Sequence, residues 1–158
     1  MVTLREATVD DALEIAALQV ASIRRLAAGA YDDNQIEAWA KGNDPDGYRI
    51  GDPVVHFLVA EADDRLVGFG SLDVESREIT AVYVHPEYAG TGVGTEILSN
   101  LESRAVAAGL TSLRLLSSLN AVPFYRSGNW EVVGRCTHTI GPNEVELPCI
   151  EMEKPLDG

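Results

Sequence analysis

Hydrophobic positions along this chain recur with two periods, and each change of period marks an element. TLREA (residues 3–7) alternates and predicts a short strand. The following TVDDALEIAALQVASIRRLA brings Ile15, Leu18, Ser22 and Leu26 near helical spacing behind Asp10 and Asp11. A second, shorter helix is predicted from Asp33 to about Lys41, with Ile36, Trp39 and Ala40 on one side, before GNDPDG breaks the chain. Residues 54–61, 65–73 and 77–84 then read as three strands of an antiparallel meander separated by ADD and VES. From Thr95 the pattern turns helical, with Gly94, Ile97, Leu98, Leu101 and Ala105 on one face and Gly109 where a helix ends. Residues 111–117 form a leucine-rich strand, and strand, helix and strand in this order make a right-handed crossover with a parallel pair. Pro123 belongs in the first turn of a short helix over residues 120–128, which makes Asn120 its N-cap. Residues 131–139 and 145–153 close the chain as a hairpin around GPN, with Pro148 marking an edge or a bulge. These elements predict an α/β (α+β) fold: a mixed, mostly antiparallel sheet of about seven strands flanked by about four helices.

One strand breaks its own pattern. In REITAVYV, strict alternation sets Ile79 opposite Val82 and Val84, yet all three are core types. One extra residue near Thr80 or Ala81 returns them to one face, so a β-bulge is expected there.

Composition narrows the picture. At 158 residues the chain suits one well-filled domain over residues 1–158, and 46% apolar with 23% charged residues is ordinary for a globular protein. The N-terminus lacks a basic start followed by an apolar run, and no run of 18 apolar residues occurs, so a soluble, cytoplasmic protein off the membrane is expected. Cys136 and Cys149 are too few for a disulfide framework and are expected as buried, inert thiols in a reducing compartment. Twenty-five acidic against 12 basic residues give a formal charge of −13 with no basic cluster, which argues against nucleic acid and tilts toward cationic partners.

The segment HPEYAGTGVGTEIL places Gly90, Gly92 and Gly94 on alternate positions before a helix. Such a turn serves either as plain turn chemistry or as an oxyanion cradle, because free N–H groups and the helix dipole favour an anion. A P-loop would need Gly-Lys-Ser/Thr at the helix start, and a dinucleotide fingerprint would need a third glycine at another offset and an acid on the next strand; both are missing.

The residues that remain resemble the GNAT superfamily of N-acetyltransferases over nearly the whole chain. AVYVHPEYAGTGVGTEIL is similar to that family's strand, pyrophosphate loop and helix, with Ala89 to Gly94 fitting Gln/Arg-x-x-Gly-x-Gly/Ala except at its first place. SLNAVPFYRSGNW resembles the family's second segment, matching at Ala121, Phe124, Tyr125 and Gly128. The resemblance implies acetyl-CoA as cosubstrate, with no metal, and a direct transfer of acetyl to a primary amine in a ternary complex. It implies coenzyme contacts from Val82, Tyr83 and Val84 on the bulged strand and from Ala89, Gly90, Thr91, Gly92, Val93, Gly94 and Thr95 in the loop. Ser118, Asn120 and Phe124 complete that set, with Ser118 standing where the family carries asparagine. At Ala89 the family's Gln or Arg contact is lost, leaving backbone N–H groups.

Acetyl transfer needs a polarised carbonyl, a neutral amine and a proton for the leaving thiolate. The resemblance puts the Tyr125 hydroxyl near the coenzyme sulfur as general acid; the plain alternative is a core tyrosine beside Phe124. Glu78 opens the bulged strand and ranks first as base, ahead of Asp73 and Glu75. The acceptor amine is expected against Tyr31 and Trp39, with Tyr48 a further aromatic candidate and Asp32, Asp33 and Asp44 able to attract a cation. His56, His85 and His138 are isolated in the sequence. A small-molecule amine is the leading acceptor; a protein or peptide lysine or N-terminus is the rival enzyme reading, and a non-catalytic coenzyme A-binding module the rival outside enzymes. A homodimer through the C-terminal hairpin is a family-level expectation.

Overall fold

The computed structural model describes residues 1–157. Strands β1 (Thr3–Glu6), β2 (Val55–Ala62), β3 (Arg65–Asp73), β4 (Glu78–Val84), β5 (Ser112–Ser118), β6 (Glu131–Ile140) and β7 (Val145–Pro155) form one sheet in the order β1-β2-β3-β4-β5-β7-β6. Only β4 and β5 run parallel; every other neighbouring pair is antiparallel. Helices α1 (Ala12–Leu26), α2 (Asp33–Lys41), α3 (Val93–Ala107) and α4 (Val122–Ser127) complete the fold, the mixed seven-stranded arrangement that the period changes predict.

Period-two alternation divides the strands between two apolar layers. Leu58 and Ala60 of β2 pack with Ile97, Leu98 and Leu101 of α3, whereas Phe57 and Val59 pack with Ile15 and Leu18 of α1. Gly68 and Gly70 let α3 lie directly on β3: a Cβ at Gly70 would come 2.5 Å from the Ile97 side chain. Helix α2 starts at a capping box in which Asp32 accepts from the Gln35 amide at 2.8 Å and the Gln35 side chain accepts from the Asp32 amide at 2.9 Å. The Asp32 carboxylate therefore serves the helix end.

The expected bulge falls at Thr80. Ser71 pairs with Ala81 and Leu72 with Ile79, leaving Thr80 unopposed, and its hydroxyl meets Ser71 Oγ at 2.5 Å. As a result Ile79, Val82 and Val84 share the α3 layer while Ala81 and Tyr83 face the α1 layer. On its other edge β4 pairs with β5 at a single position, Glu78 with Arg114. Beyond that point the two strands diverge, and a slot opens between them.

Three local expectations are corrected. Helix α3 begins at Val93, two residues before Thr95, because Gly92 adopts the left-handed conformation that ends the loop. Asn120 lies in a 3₁₀ turn, Leu119–Ala121, and α4 starts after Ala121 without a side-chain cap. Cys136 and Cys149 face each other in the β6–β7 register with Cα atoms 4.9 Å apart, and their sulfurs are bonded. Two separate thiols are thus replaced by one cross-strand disulfide, and the cysteine argument for a reducing compartment goes with them. Pro148 sits beyond the last β5–β7 pair, Ser118 with Cys149, where β6 is its only strand neighbour. Among the described residues no helix is long and apolar enough to cross a membrane.

Candidate active site

The glycine loop joins β4 to α3 through the 3₁₀ turn Pro86–Tyr88. Gly90 (φ +76°) and Gly92 (φ +94°) both lie in the left-handed region with open space around them, so backbone conformation selects glycine there. At Gly94 the reason is crowding: a methyl group would come within 3.2 Å of the Phe124 ring and 3.3 Å of Val84. The first backbone bond of α3 runs from the Glu96 N–H to the Gly92 carbonyl at 3.0 Å. The amides of Val93, Gly94 and Thr95 precede it and point out of the helix end, where the dipole favours an anion.

Gly94 and Thr95, with Gly90 and Gly92 before them, floor a cleft of about 560 Å³ beside this helix end. Val82, Tyr83 and Val84 line one wall, Ala89, Gly90, Gly92, Gly94 and Thr95 the floor, and Ser118, Asn120 and Phe124 the opposite side. Two sequence candidates belong to the loop without lining the cleft. Thr91 turns its hydroxyl to the Tyr88 carbonyl at 2.5 Å, and the Val93 side chain is buried in the α3 layer. The wall formed by Ser22, Ile23, Leu26 and Ala27 of α1 went unforeseen, since these residues read in the sequence as ordinary helix.

A second cavity of about 710 Å³ opens from the same slot, with Trp39, Val82, Tyr83, Ser118 and Ala121 bordering both. Tyr125 lines it at 6% exposure, its ring edge-on to Phe124 at 5.0 Å and to Trp130 at 6.0 Å. Among the described residues no sealed polar side-chain atom lacks a hydrogen-bond partner, and the Tyr125 hydroxyl has none in the protein, so this hydroxyl opens to the cavity. Burial, and then the neighbouring Tyr83, push its pKa well above the ordinary phenol range. Tyr83, also buried, is pushed up to about 12.

Glu78 lines the cavity at the point where β4 and β5 begin to part, and its carboxylate accepts from Arg114 at 3.3 Å. Asp73 and Glu75 do not line it. Asp73 instead builds the β3–β4 turn, accepting from Arg49 at 2.6 Å and from the amides of Glu75 (2.9 Å) and Ser76 (3.2 Å). Arg49 and these amides hold its carboxyl below the usual range. The Tyr31 ring lines the cavity, but its hydroxyl is a strut: it donates to the Pro148 carbonyl at 2.6 Å and accepts from the Leu119 amide at 3.0 Å. Trp39 stands edge-on to it at 5.5 Å. Asp44 accepts from the Asp46 amide at 2.9 Å, a turn role.

Several cavity residues had no sequence signal. His138 and Cys149 reach the cavity because the β6–β7 hairpin lies against β5, and Gln19 and Asn43 reach it from α1 and from the segment after α2. Gln19, Asn43, Thr80 and Tyr83 also border an annex of about 380 Å³ whose other walls include Asp44, Tyr48 and Arg49. There the Tyr48 hydroxyl lies within donating distance of Gln19 Oε1 (2.6 Å) and Asn43 Oδ1 (2.9 Å).

Comparison with known proteins accounts for this arrangement. The profile of the acetyltransferase (GNAT) domain matches residues 27–144. A crystal structure from Rhodopseudomonas palustris, described as a GCN5-related N-acetyltransferase and as an aminotransferase, class-II, superimposes with a TM-score of 0.89 at 35% identity, covering 98% of this chain and 95% of that one. The paia N-acetyltransferase of Thermoplasma acidophilum, solved with coenzyme A, shares the fold at a TM-score of 0.75 and 22% identity, covering 98% and 99%. In sequence, the IAA acetyltransferase of Azospirillum brasilense is 28% identical over 114 residues, 68% of this chain and 72% of that protein. With the glycine loop, the splayed strands and the profile match together, the chain belongs to the GNAT family of acyl-CoA-dependent acetyltransferases.

Proposed function

We propose that the chain moves an acetyl group from acetyl-CoA to the primary amine of a small molecule, by direct transfer in a ternary complex. One observation carries this reading: the cleft floored by the α3 amides and the cavity holding Tyr125 and Glu78 meet in the slot where β4 leaves β5. Bound acetyl-CoA supplies an activated acetyl group as a thioester. The amides of Val93, Gly94 and Thr95 hold its pyrophosphate, so the role lost at Ala89 falls to backbone. Beyond Glu78 the β5-facing edge of β4 has no strand partner. Its open N–H groups over residues 82–84 align the pantetheine arm and polarise the thioester carbonyl.

A phenol carries its proton at neutral pH without any shift, so the Tyr125 hydroxyl in the cavity is available to the departing thiolate, although burial raises its pKa and weakens it as an acid. Glu78 receives the amine proton, directly or through water, while Arg114 fixes its carboxylate at the slot. Ser118, Asn120 and Phe124 flank the arm, and the Tyr31 and Trp39 rings border the acceptor. A cavity walled by α2, β5 and the β6–β7 hairpin supports a small acceptor over a peptide, which needs an open groove. We read residues 1–158 as one domain, supported by the single sheet that runs through it.

The test is thiol release from acetyl-CoA across a panel of amines and basic peptides. Tyr125→Phe and Glu78→Gln should each lower kcat by about 10²–10⁴-fold with acetyl-CoA affinity retained. Coenzyme binding without release for any acceptor would favour a non-catalytic module, and preference for peptides would favour the protein-modifying rival.

A further inference from the structure

The charge inventory of the acceptor cavity constrains what enters it. Among the described residues, no lysine or arginine lines the main cavity; besides its tyrosines, the ionisable side chains there are Glu78, which Arg114 bonds at 3.3 Å from outside the lining, and His138, exposed on β6. The annex holds one cation, Arg49, and that guanidinium is already committed, to Asp73 at 2.6 Å and to Asp52 at 3.0 Å. Asp44 stands on the same annex wall, so the annex with its bound partners is net acidic. The remaining surface is aromatic and aliphatic, with the rings of Tyr31, Trp39, Tyr83 and Tyr125 around the slot.

These groups treat the two charges of an amino acid oppositely. An ammonium meets aromatic faces and the Glu78 carboxylate, and Glu78 then relieves it of a proton. A carboxylate carried beside that amine would be desolvated without a cationic partner, next to like charges. The overall charge of −13 adds a long-range field of the same sign.

We propose that the acceptor is a primary amine with an aryl or alkyl body and no carboxylate. This rests on the acyl-transfer reading above and sharpens its substrate class. Attack of the neutral amine nitrogen on the thioester carbonyl forms the C–N bond and breaks the C–S bond. Glu78 has by then passed the ammonium proton to solvent and takes the second proton from nitrogen, while Tyr125 gives its proton to the coenzyme sulfur and regains one from water.

The experiment compares acceptors that differ only in the carboxylate: phenethylamine against phenylalanine, and tryptamine against tryptophan. Thiol release is followed at pH 8. Acetyl-CoA affinity is measured by calorimetry on the same preparation. Each amine should exceed its amino acid in kcat/KM by at least about tenfold, since a charge left unpaired in a binding site is strongly discriminated against. Leu116→Arg, at an exposed cavity residue of β5, should narrow that ratio by giving the carboxylate a partner. Thr139→Lys repeats the test from the hairpin side. Equal or better use of the amino acids, or a lysine peptide preferred to both, overturns the proposal while leaving acyl transfer standing. If acetyl-CoA itself does not bind, the acyl-transfer reading fails and this proposal with it.

Discussion

The cleft proposed for the coenzyme offers an anion backbone groups: the free amides at one helix end, reached through a loop bent at Gly90 and Gly92. The acceptor cavity beside it takes its chemistry from side chains on α1, α2, β4, β5, α4 and the β6–β7 hairpin. Backbone donors survive the replacement of neighbouring side chains, which is how a loop with Ala89 in place of a contacting residue still presents a cradle. A side-chain-built cavity has no such insurance. Its selectivity changes with single residues, as the pairing of Arg49 with two carboxylates illustrates.

Variants can break this contrast. The largest effect is expected from deleting Thr80, which removes the extra residue and with it the local twist of β4, while plain alternation keeps Ile79, 3% exposed, on the face of Val82 and Val84. The fold should survive with a loss of about 1 kcal/mol in denaturant unfolding, while KM for acetyl-CoA rises at least about tenfold because the β4 wall of the slot shifts. An unchanged KM for acetyl-CoA would mean that the bulge does not shape the slot. Next comes Gly92→Ala, which forces an L-residue to hold φ +94° at a cost of about 1–2 kcal/mol. It should raise KM for acetyl-CoA several-fold and leave the acceptor KM nearly unchanged.

Tyr31→Phe probes the other side. Removing a hydroxyl that serves Pro148 and Leu119 together should cost about 1–2 kcal/mol and raise the acceptor KM more than the acetyl-CoA KM. Equal shifts in the two constants would blur the division between the sites. A smaller effect concerns pH. Asp73 has a depressed pKa in the folded protein, so its contribution is present above the unfolded carboxylate pKa and is lost as pH falls through the lower folded value. Asp73→Asn should therefore lower Tm at pH 7 and lower it less at pH 3, measured by thermal unfolding. The smallest signal is chemical: thiol titration of the denatured, unreduced protein should find no free thiol if Cys136 and Cys149 remain bonded, and two if they do not.

Much of the fold was legible because it follows from neighbours in sequence. The strands and helices overlap segments of period two or period 3.6 set apart by turn residues, and the Thr80 bulge followed from one mismatch among Ile79, Val82 and Val84. The glycine loop was legible for the same reason, since φ at Gly90 and Gly92 and the free amides of α3 are properties of a dozen consecutive residues. The acceptor cavity was not. The Tyr31 ring lines the cavity, but that its hydroxyl bonds the Leu119 amide, more than 80 residues along the chain, has no local signal. His138 looked isolated, yet it reaches the cavity when β7 inserts between β5 and β6.

By itself, then, the sequence determined the order of elements, the bulge that opens the slot, and the amide cradle, because each is a local relation between backbone conformation and side-chain spacing. Tertiary structure alone decided which side chains wall the acceptor cavity, that Asp73 is consumed by a turn while Glu78 lines the slot, and that two cysteines thirteen residues apart meet. Those outcomes depend on strand insertion and on competition among carboxylates for a few arginines, and neither is encoded in any single stretch of the chain.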